Sequence, residues 1–354
     1  GYRPLRARYP RAGVAQLAPV RRRTSRWKCL RFSVNGGRVR CAGLRATLEP
    51  ATFRANPIHR VIDPAMKTIL LFLTFAIPMM QFCHAQELVR LRHAFQTAPS
   101  PEGAVQYGNN PKAGHYVTAS DAKIYYELYG KGDPLVILHG GNFGSTYEMA
   151  GFIDRLSKSY RVIAVSTRGH GKSEIGTAPF TLDQRANDAL AVIDAITKDD
   201  VIVLGFSDGA YSGYKLASLH PKRVKKLVAI GAGEMKPGPA TFNLSTKSAF
   251  AQDKAYWEQQ LKLMPEPKRE NEFFAKQSEF YNGLNAGKEL FSSIKCPVLV
   301  LSGERDQNAR LSTVVAAYYM LPNSQLAIIP NTTHTVFLEN FPAVWESIAP
   351  FLRK

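Results

Sequence analysis

Three side chains in the second half of the chain could together do nucleophilic chemistry: Ser207, Asp306 and His334. A serine hydroxyl is a weak nucleophile at neutral pH, so it needs a base to take its proton and an acid to orient that base. Ser207 sits in Gly205-Phe206-Ser207-Asp208-Gly209, between the apolar run Val201–Leu204 and a helical stretch that runs to Leu219. A serine spaced between two glycines at a strand-to-helix junction has the pattern of a nucleophile elbow. The turn strains the serine backbone and lifts its hydroxyl to the carboxyl edge of the sheet, and only small flanking residues let strand and helix pass so closely. The helix starting at Asp208 aims its first N–H groups at the same spot, so the Asp208 amide is a ready donor for an oxyanion formed there.

The base follows by elimination. Downstream of the elbow the histidines are His220 and His334. His220 ends the elbow helix ahead of Pro221, pointing away from the serine, whereas His334 follows the last expected strand at the edge that carries Ser207. The acid should leave the preceding strand. Asp306, in Gly303-Glu304-Arg305-Asp306 directly after Val298–Leu301, is the choice, with Glu304 as the fallback and Glu234 as a weaker rival. The resulting chain order is nucleophile, acid, base.

The elements that must position these residues alternate. Tyr116–Thr118 and Lys123–Tyr129 read as two antiparallel strands joined at Ser120-Asp121. Leu135–Leu138, Tyr160–Val165, Val201–Leu204, Leu227–Ile230, Val298–Leu301 and Leu326–Ile329 follow, most of them continuous apolar runs suited to strands buried on both faces. Helices are expected near Ser145–Leu156, from a capping box at Thr181-Leu182-Asp183-Gln184 through Ile196, to Leu219, near Ser312–Met320 and through Val344–Leu352. Repeated βα units of this kind imply an α/β fold: a mostly parallel, twisted sheet of about eight strands with helices on both faces. The alternation breaks over residues 234–292, a helical, aromatic-rich stretch expected to form a small lid over the active edge, with most of its aromatics packed inward. The core would then comprise residues 114–233 and 293–354.

The formal charge of +18 would suggest an anionic partner, but it is concentrated. Residues 1–65 hold 14 Arg and one Lys against Glu49 and Asp63, while the chain after Lys67 holds 30 basic and 26 acidic residues. A nucleic-acid partner is therefore not expected. Met66-Lys67-Thr68, the apolar run Ile69–Met80 and Cys83-His84-Ala85 form the three parts of a signal peptide, with cleavage expected after Ala85 and a secreted or periplasmic product. The apolar run is short and broken by Pro78, so no stable membrane span is expected. Residues 1–65 then read as upstream sequence translated in frame or an assembly artefact, expected to be disordered, and residues 86–113 as an N-terminal arm. Past Ala85 only Cys296 remains, which excludes an intrachain disulfide in that part, and no Cys or His spacing suggests a structural metal.

From about Tyr116 to Leu352 the chain resembles the α/β-hydrolase superfamily, in its lid-bearing branch of esterases, haloperoxidase-like enzymes, carbon–carbon hydrolases and proline iminopeptidases. The resemblance is carried by His139-Gly140-Gly141-Asn142, Arg168-Gly169-His170-Gly171-Lys172-Ser173, the elbow, Gly303 with Asp306, and His334. It implies that the turn after the third strand supplies a second oxyanion donor, placed on the Gly141 amide with Asn142 as the alternative, and that His139 and the Arg168–Ser173 turn are structural. Ser166 departs from the aspartate common before that arginine turn, so a local hydrogen bond or ion pair is expected to be missing. The implied activity is hydrolysis of a small acyl substrate, foremost a carboxylic ester, with no metal or organic cofactor. An aminopeptidase, a carbon–carbon or lactone hydrolase, and a non-catalytic binding protein are the alternatives. The eight acidic and eight basic residues of 234–292 give no acidic excess to hold a substrate ammonium.

Overall fold

The structure, a computed structural model, describes residues 90–96, 98–238 and 241–353. The arginine-rich segment, the apolar run after Met66 and the expected cleavage site lie outside the described residues.

Among the described residues eight strands form one sheet: β1 (Gly114–Ala119), β2 (Ala122–Tyr129), β3 (Asp133–Leu138), β4 (Tyr160–Val165), β5 (Val201–Phe206), β6 (Val224–Ile230), β7 (Val298–Gly303) and β8 (Ser324–Ile329). Their spatial order is β1-β2-β4-β3-β5-β6-β7-β8, with β1 and β2 antiparallel to their neighbours and the other six parallel. Every residue of β5 and β7 is buried. Within β3, Val136 and Leu138 enter one apolar core and Leu135 and Ile137 the other, because successive side chains of a strand point to opposite faces. Each fully buried Val, Leu or Ile stabilises the fold by roughly 1.5–3 kcal/mol, so these central strands anchor the sheet.

Helices α1 (Ala150–Leu156) and α9 (Phe341–Arg353) supply one core through Phe152, Ile153, Val344 and Ile348. Helices α2 (Leu182–Ile196), α3 (Asp208–Leu219) and α7 (Leu311–Met320) supply the other. A four-residue helix, α8 (Val336–Glu339), precedes α9. At the start of α2 the Thr181 hydroxyl accepts the Gln184 N–H, but the Gln184 side chain turns to Asp188 instead of back to Thr181. The expected capping box is thus half formed. A complete one stands at Ser245 and Ser248.

Between β6 and β7 the chain forms α4 (Thr246–Leu263), α5 (Glu270–Gly283) and α6 (Lys288–Ser293). Tyr256, Trp257, Phe273, Phe274, Phe280 and Phe291 are buried there, while Phe242 is exposed. Helix α4 breaks at Asp253 (φ −153°, ψ 84°), whose carboxylate accepts the Tyr256 N–H and so caps the second half of the helix. The irregular segment before β1 is tied to that break: Arg92 forms a two-pronged ion pair with Asp253 at 2.7 and 2.9 Å, and the Arg92 N–H donates to Gln259.

Candidate active site

The sheet order reverses at β3, which lies between β4 and β5. In open α/β sheets such a reversal opens a crevice at the carboxyl ends of the strands. It places the turn after β3, residues 139–145, beside the turn after β5, which carries Ser207.

Ser207 has φ +50° and ψ −114°, a conformation that costs of order 1–3 kcal/mol and persists only where the surroundings impose it. The surroundings here are backbone packed on backbone. A Cβ on Gly205 would lie 2.3 Å from the Gly209 carbonyl oxygen, and one on Gly209 would lie 2.2 Å from that of Leu138. The Ser207 N–H is held by the Ile230 carbonyl at 2.8 Å.

His334, on the loop after β8, brings Nε2 to 3.0 Å from the Ser207 Oγ, and its Nδ1 lies 2.8 Å from Asp306 Oδ2. A carboxylate only accepts, so Nδ1 carries the proton and Nε2 is left to accept the Ser207 O–H. Asp306 is buried, and its other oxygen accepts the N–H groups of Asn308 and Ala309, each at 2.8 Å. The imidazole is walled by Phe206, 5.0 Å away between ring centres, and by Gly231, where a Cβ would come within 3.2 Å of it. The other acids considered lie elsewhere: Glu304 is exposed and accepts the Asn331 N–H, and Glu234 pairs with Lys236. His220 caps the end of α3 and meets Asn187.

The amides of Gly141, Asn142 and Asp208 have no protein acceptor among the described residues. They are therefore available to a developing oxyanion. The Asp208 carboxylate is buried beneath the inserted helices, accepting from Gln277 Nε2 at 2.9 Å and the Tyr281 hydroxyl at 3.0 Å, with Arg185 Nη1 at 3.6 Å. Burial, reinforced by that carboxylate, holds the Tyr281 phenol protonated well above its usual range. These α5 partners and the buried Glu148 were not found from sequence; their residues carry no periodic or motif signal.

The scaffold around the site is polar but mostly satisfied. Arg168 is buried and makes two bonds to Asp188, at 2.9 and 2.8 Å, and one to Asp121 at 2.6 Å. The Ser166 hydroxyl meets that of Thr146 at 2.9 Å. The absence of an aspartate there is thus met by a hydroxyl pair. His139 accepts the Thr167 N–H on Nε2 at 3.0 Å, and burial lowers its pKa to about 4, so it is neutral with its proton on Nδ1. Among the described residues no group of three or more His, Cys, Asp or Glu side chains is arranged to hold a metal ion, and no helix is long and apolar enough to cross a membrane.

Residues 133–290 match the family described as alpha/beta hydrolase fold. A non-heme haloperoxidase from Rhodococcus erythropolis is 35% identical over 119 residues, 33% of this chain and 43% of that protein. A human serine hydrolase is 24% identical over 63% of this chain and 80% of its own length. The chain thus spans under half of the first relative and four fifths of the second. The crystal structure of the enol-lactonase from Burkholderia xenovorans superposes with a TM-score of 0.57 at 19% identity, over 68% of this chain and all of that one.

Proposed function

The chain belongs to the α/β-hydrolase superfamily, and on that premise we propose that it is a serine hydrolase that cleaves a small acyl substrate, foremost a carboxylic ester, through an acyl-enzyme on Ser207. The observation that carries this reading is the hydrogen-bonded line from Ser207 Oγ through His334 to Asp306. His334 Nε2 takes the hydroxyl proton as the serine oxygen bonds to the substrate carbonyl carbon. Asp306 holds the imidazole in the accepting tautomer and stabilises the imidazolium. The negative charge on the carbonyl oxygen falls to the Gly141 and Asp208 amides, where one donor is typically worth roughly 2.7–4 kcal/mol. Collapse of the tetrahedral adduct expels the alcohol, which receives the proton from His334. Water activated by the same nitrogen then releases the acid and restores Ser207.

A lactone is the cyclic case of the same acyl substrate and would be opened through the same acyl-enzyme. The helices from Thr246 to Ser293 act in it as the lid, and export follows from the sequence after Met66. The test treats the protein starting at Gln86 with a fluorophosphonate probe and short-chain p-nitrophenyl esters beside Ser207→Ala. Labelling and turnover that vanish in the variant are expected. A folded wild-type protein that is neither labelled nor active would sink the reading in favour of a binding role.

A further inference from the structure

We infer that Glu148 is a positioning residue for the oxyanion donor, its buried carboxyl anchoring the Gly140 N–H so that, together with the His139 bond to the Gly140 carbonyl, it limits how the Gly140–Gly141 peptide can turn. The inference rests on the reading of the Gly141 amide as that donor. The Gly141 N–H belongs to the same rigid plane as the Gly140 carbonyl, and that plane meets the His139–Gly140 plane, which carries the Gly140 N–H, at the Gly140 Cα; holding both planes aims the Gly141 N–H. Gly140 is clamped at both ends. Its N–H donates to Glu148 Oε1 at 2.6 Å, and its carbonyl accepts from His139 Nδ1 at 2.6 Å. The Gly141 carbonyl in turn accepts the Gly144 N–H at 2.6 Å.

Glu148 sits in the 3-10 turn Thr146–Met149, is buried, and among the described residues has no cation as a hydrogen-bond or ion-pair partner. A surface glutamate would serve the solvent; this one serves a backbone amide of the site. The packing is close as well: a Cβ at position 140 would lie 3.0 Å from the Phe206 ring and 3.1 Å from the Glu148 carboxyl.

The titratable groups that face Glu148 are Asp208, from the start of α3, and Tyr256, from α4, with neutral His139 across the clamped peptide. Burial, aided by Asp208, raises the Glu148 pKa to about 8, so its carboxyl is protonated at neutral pH. Above that value it becomes a buried anion beside the place where the oxyanion forms, and the two negative charges repel.

The experiment measures kcat and KM from pH 6 to 10 on a short-chain p-nitrophenyl ester for wild type, Glu148→Gln and Glu148→Ala, with a crystal structure of Glu148→Ala. A misaimed donor should lower kcat of Glu148→Ala about 10- to 100-fold, short of the 10²–10³ for a deleted one, with KM within about twofold. Glu148→Gln keeps an oxygen for the Gly140 N–H, should stay within about fivefold of wild type at pH 7, and should lose the fall in kcat that wild type shows through pH 8. Wild-type kcat in Glu148→Ala, or an unchanged alkaline fall in Glu148→Gln, overturns the inference. If Glu148→Ala does not fold, the Glu148→Gln profile decides. If wild type shows no Ser207-dependent turnover, the hydrolase reading has failed instead, and the crystal structure decides: a Gly140–Gly141 peptide in its wild-type orientation overturns the positioning role.

Discussion

Replacing Asp306 by Asn keeps the shape of the side chain and should still cost most of the activity, for a reason the geometry makes specific. The oxygen of Asp306 that faces away from His334 accepts two backbone N–H groups, from Asn308 and Ala309, each at 2.8 Å. An asparagine must keep its own oxygen there, because turning its NH2 toward two donors would forfeit both bonds, at roughly 1–3 kcal/mol for each buried group left unmet. Its NH2 therefore faces His334 Nδ1, which lies 2.8 Å from the oxygen it replaces. Against a donor, Nδ1 must accept, so the imidazole proton moves to Nε2. Nε2 then cannot accept the Ser207 hydroxyl proton, and the base is lost although every heavy atom stays in place. The cost expected for this tautomer error is about 10⁴ in kcat, or roughly 5 kcal/mol of barrier. Steady-state kinetics on a short-chain p-nitrophenyl ester measure it, and ¹⁵N NMR of the imidazole reports the tautomer directly. A variant within about tenfold of wild type, with the proton still on Nδ1, would falsify both the acid assignment and the orientation argument.

Gly141→Ala places a methyl group 1.9 Å from the Asp208 carboxylate and 2.2 Å from the Tyr281 hydroxyl. One of them or the turn must move, so kcat/KM should fall by about 10² or more, the scale of one lost oxyanion donor; an unimpaired variant would refute the link between this close packing and the aim of the Gly141 amide. Arg168→Ala leaves Asp188 and Asp121 without their cation, and breaking such a buried pair should cost about 3–5 kcal/mol in urea unfolding. Glu148→Gln should gain stability over wild type in a pH-dependent way. The unfolded glutamate ionises through the usual carboxylate range, while the folded one keeps its proton up to about 8. Between those values the native state binds more protons, so wild-type stability declines as pH rises, at up to about 1.4 kcal/mol per pH unit, and levels off above the folded value. The variant lacks this decline, so the Tm difference should be small near pH 4 and largest near pH 8. A difference that does not change with pH would contradict the buried, protonated carboxyl.

The sheet was legible because its central strands are buried on both faces and so appear as unbroken apolar runs ended by glycine-bearing turns, as at Val201–Leu204 and Val298–Leu301. The positions that converge at Ser207 were legible for the same reason. Parallel strands bring their carboxyl ends to one edge, so the first suitable side chain after each of β5, β7 and β8 had few places to go. Contacts made across the fold left no such trace. Gln277 and Tyr281 reach Asp208 across 69 and 73 residues, and Arg92 reaches Asp253 across 161. Each pair is set by tertiary packing, and Gln277, Tyr281 and Arg92 occupy no position that a period or turn rule distinguishes. The half-formed box at Thr181 has a local cause: Gln184 bonds Asp188, one of the carboxylates that balance buried Arg168.

These long-range contacts also decide how the inserted helices act on the edge of the sheet. Tyr256 on α4 donates its hydroxyl to the Gly144 carbonyl at 3.0 Å, and Gln277 and Tyr281 on α5 hold the carboxylate of the residue next to Ser207. The turn after β3 is thus fixed from beneath by Glu148 and His139 and from above by α4, while the elbow helix is fixed from above by α5. A helix that merely covered the site could shift without moving the amides of Gly141 and Asp208. Here a shift of α4 or α5 must break hydrogen bonds that end on the turn or on Asp208 itself. At roughly 0.5–1.5 kcal/mol net for each neutral bond, and about 1.5–3 for those to the charged carboxylate, the three bonds together resist displacement by several kcal/mol. Substrate entry is therefore expected beside the exposed Phe242, whose ring packs on Tyr281, and on the side of His334, 20% exposed, more than through a lifting of the whole helical segment.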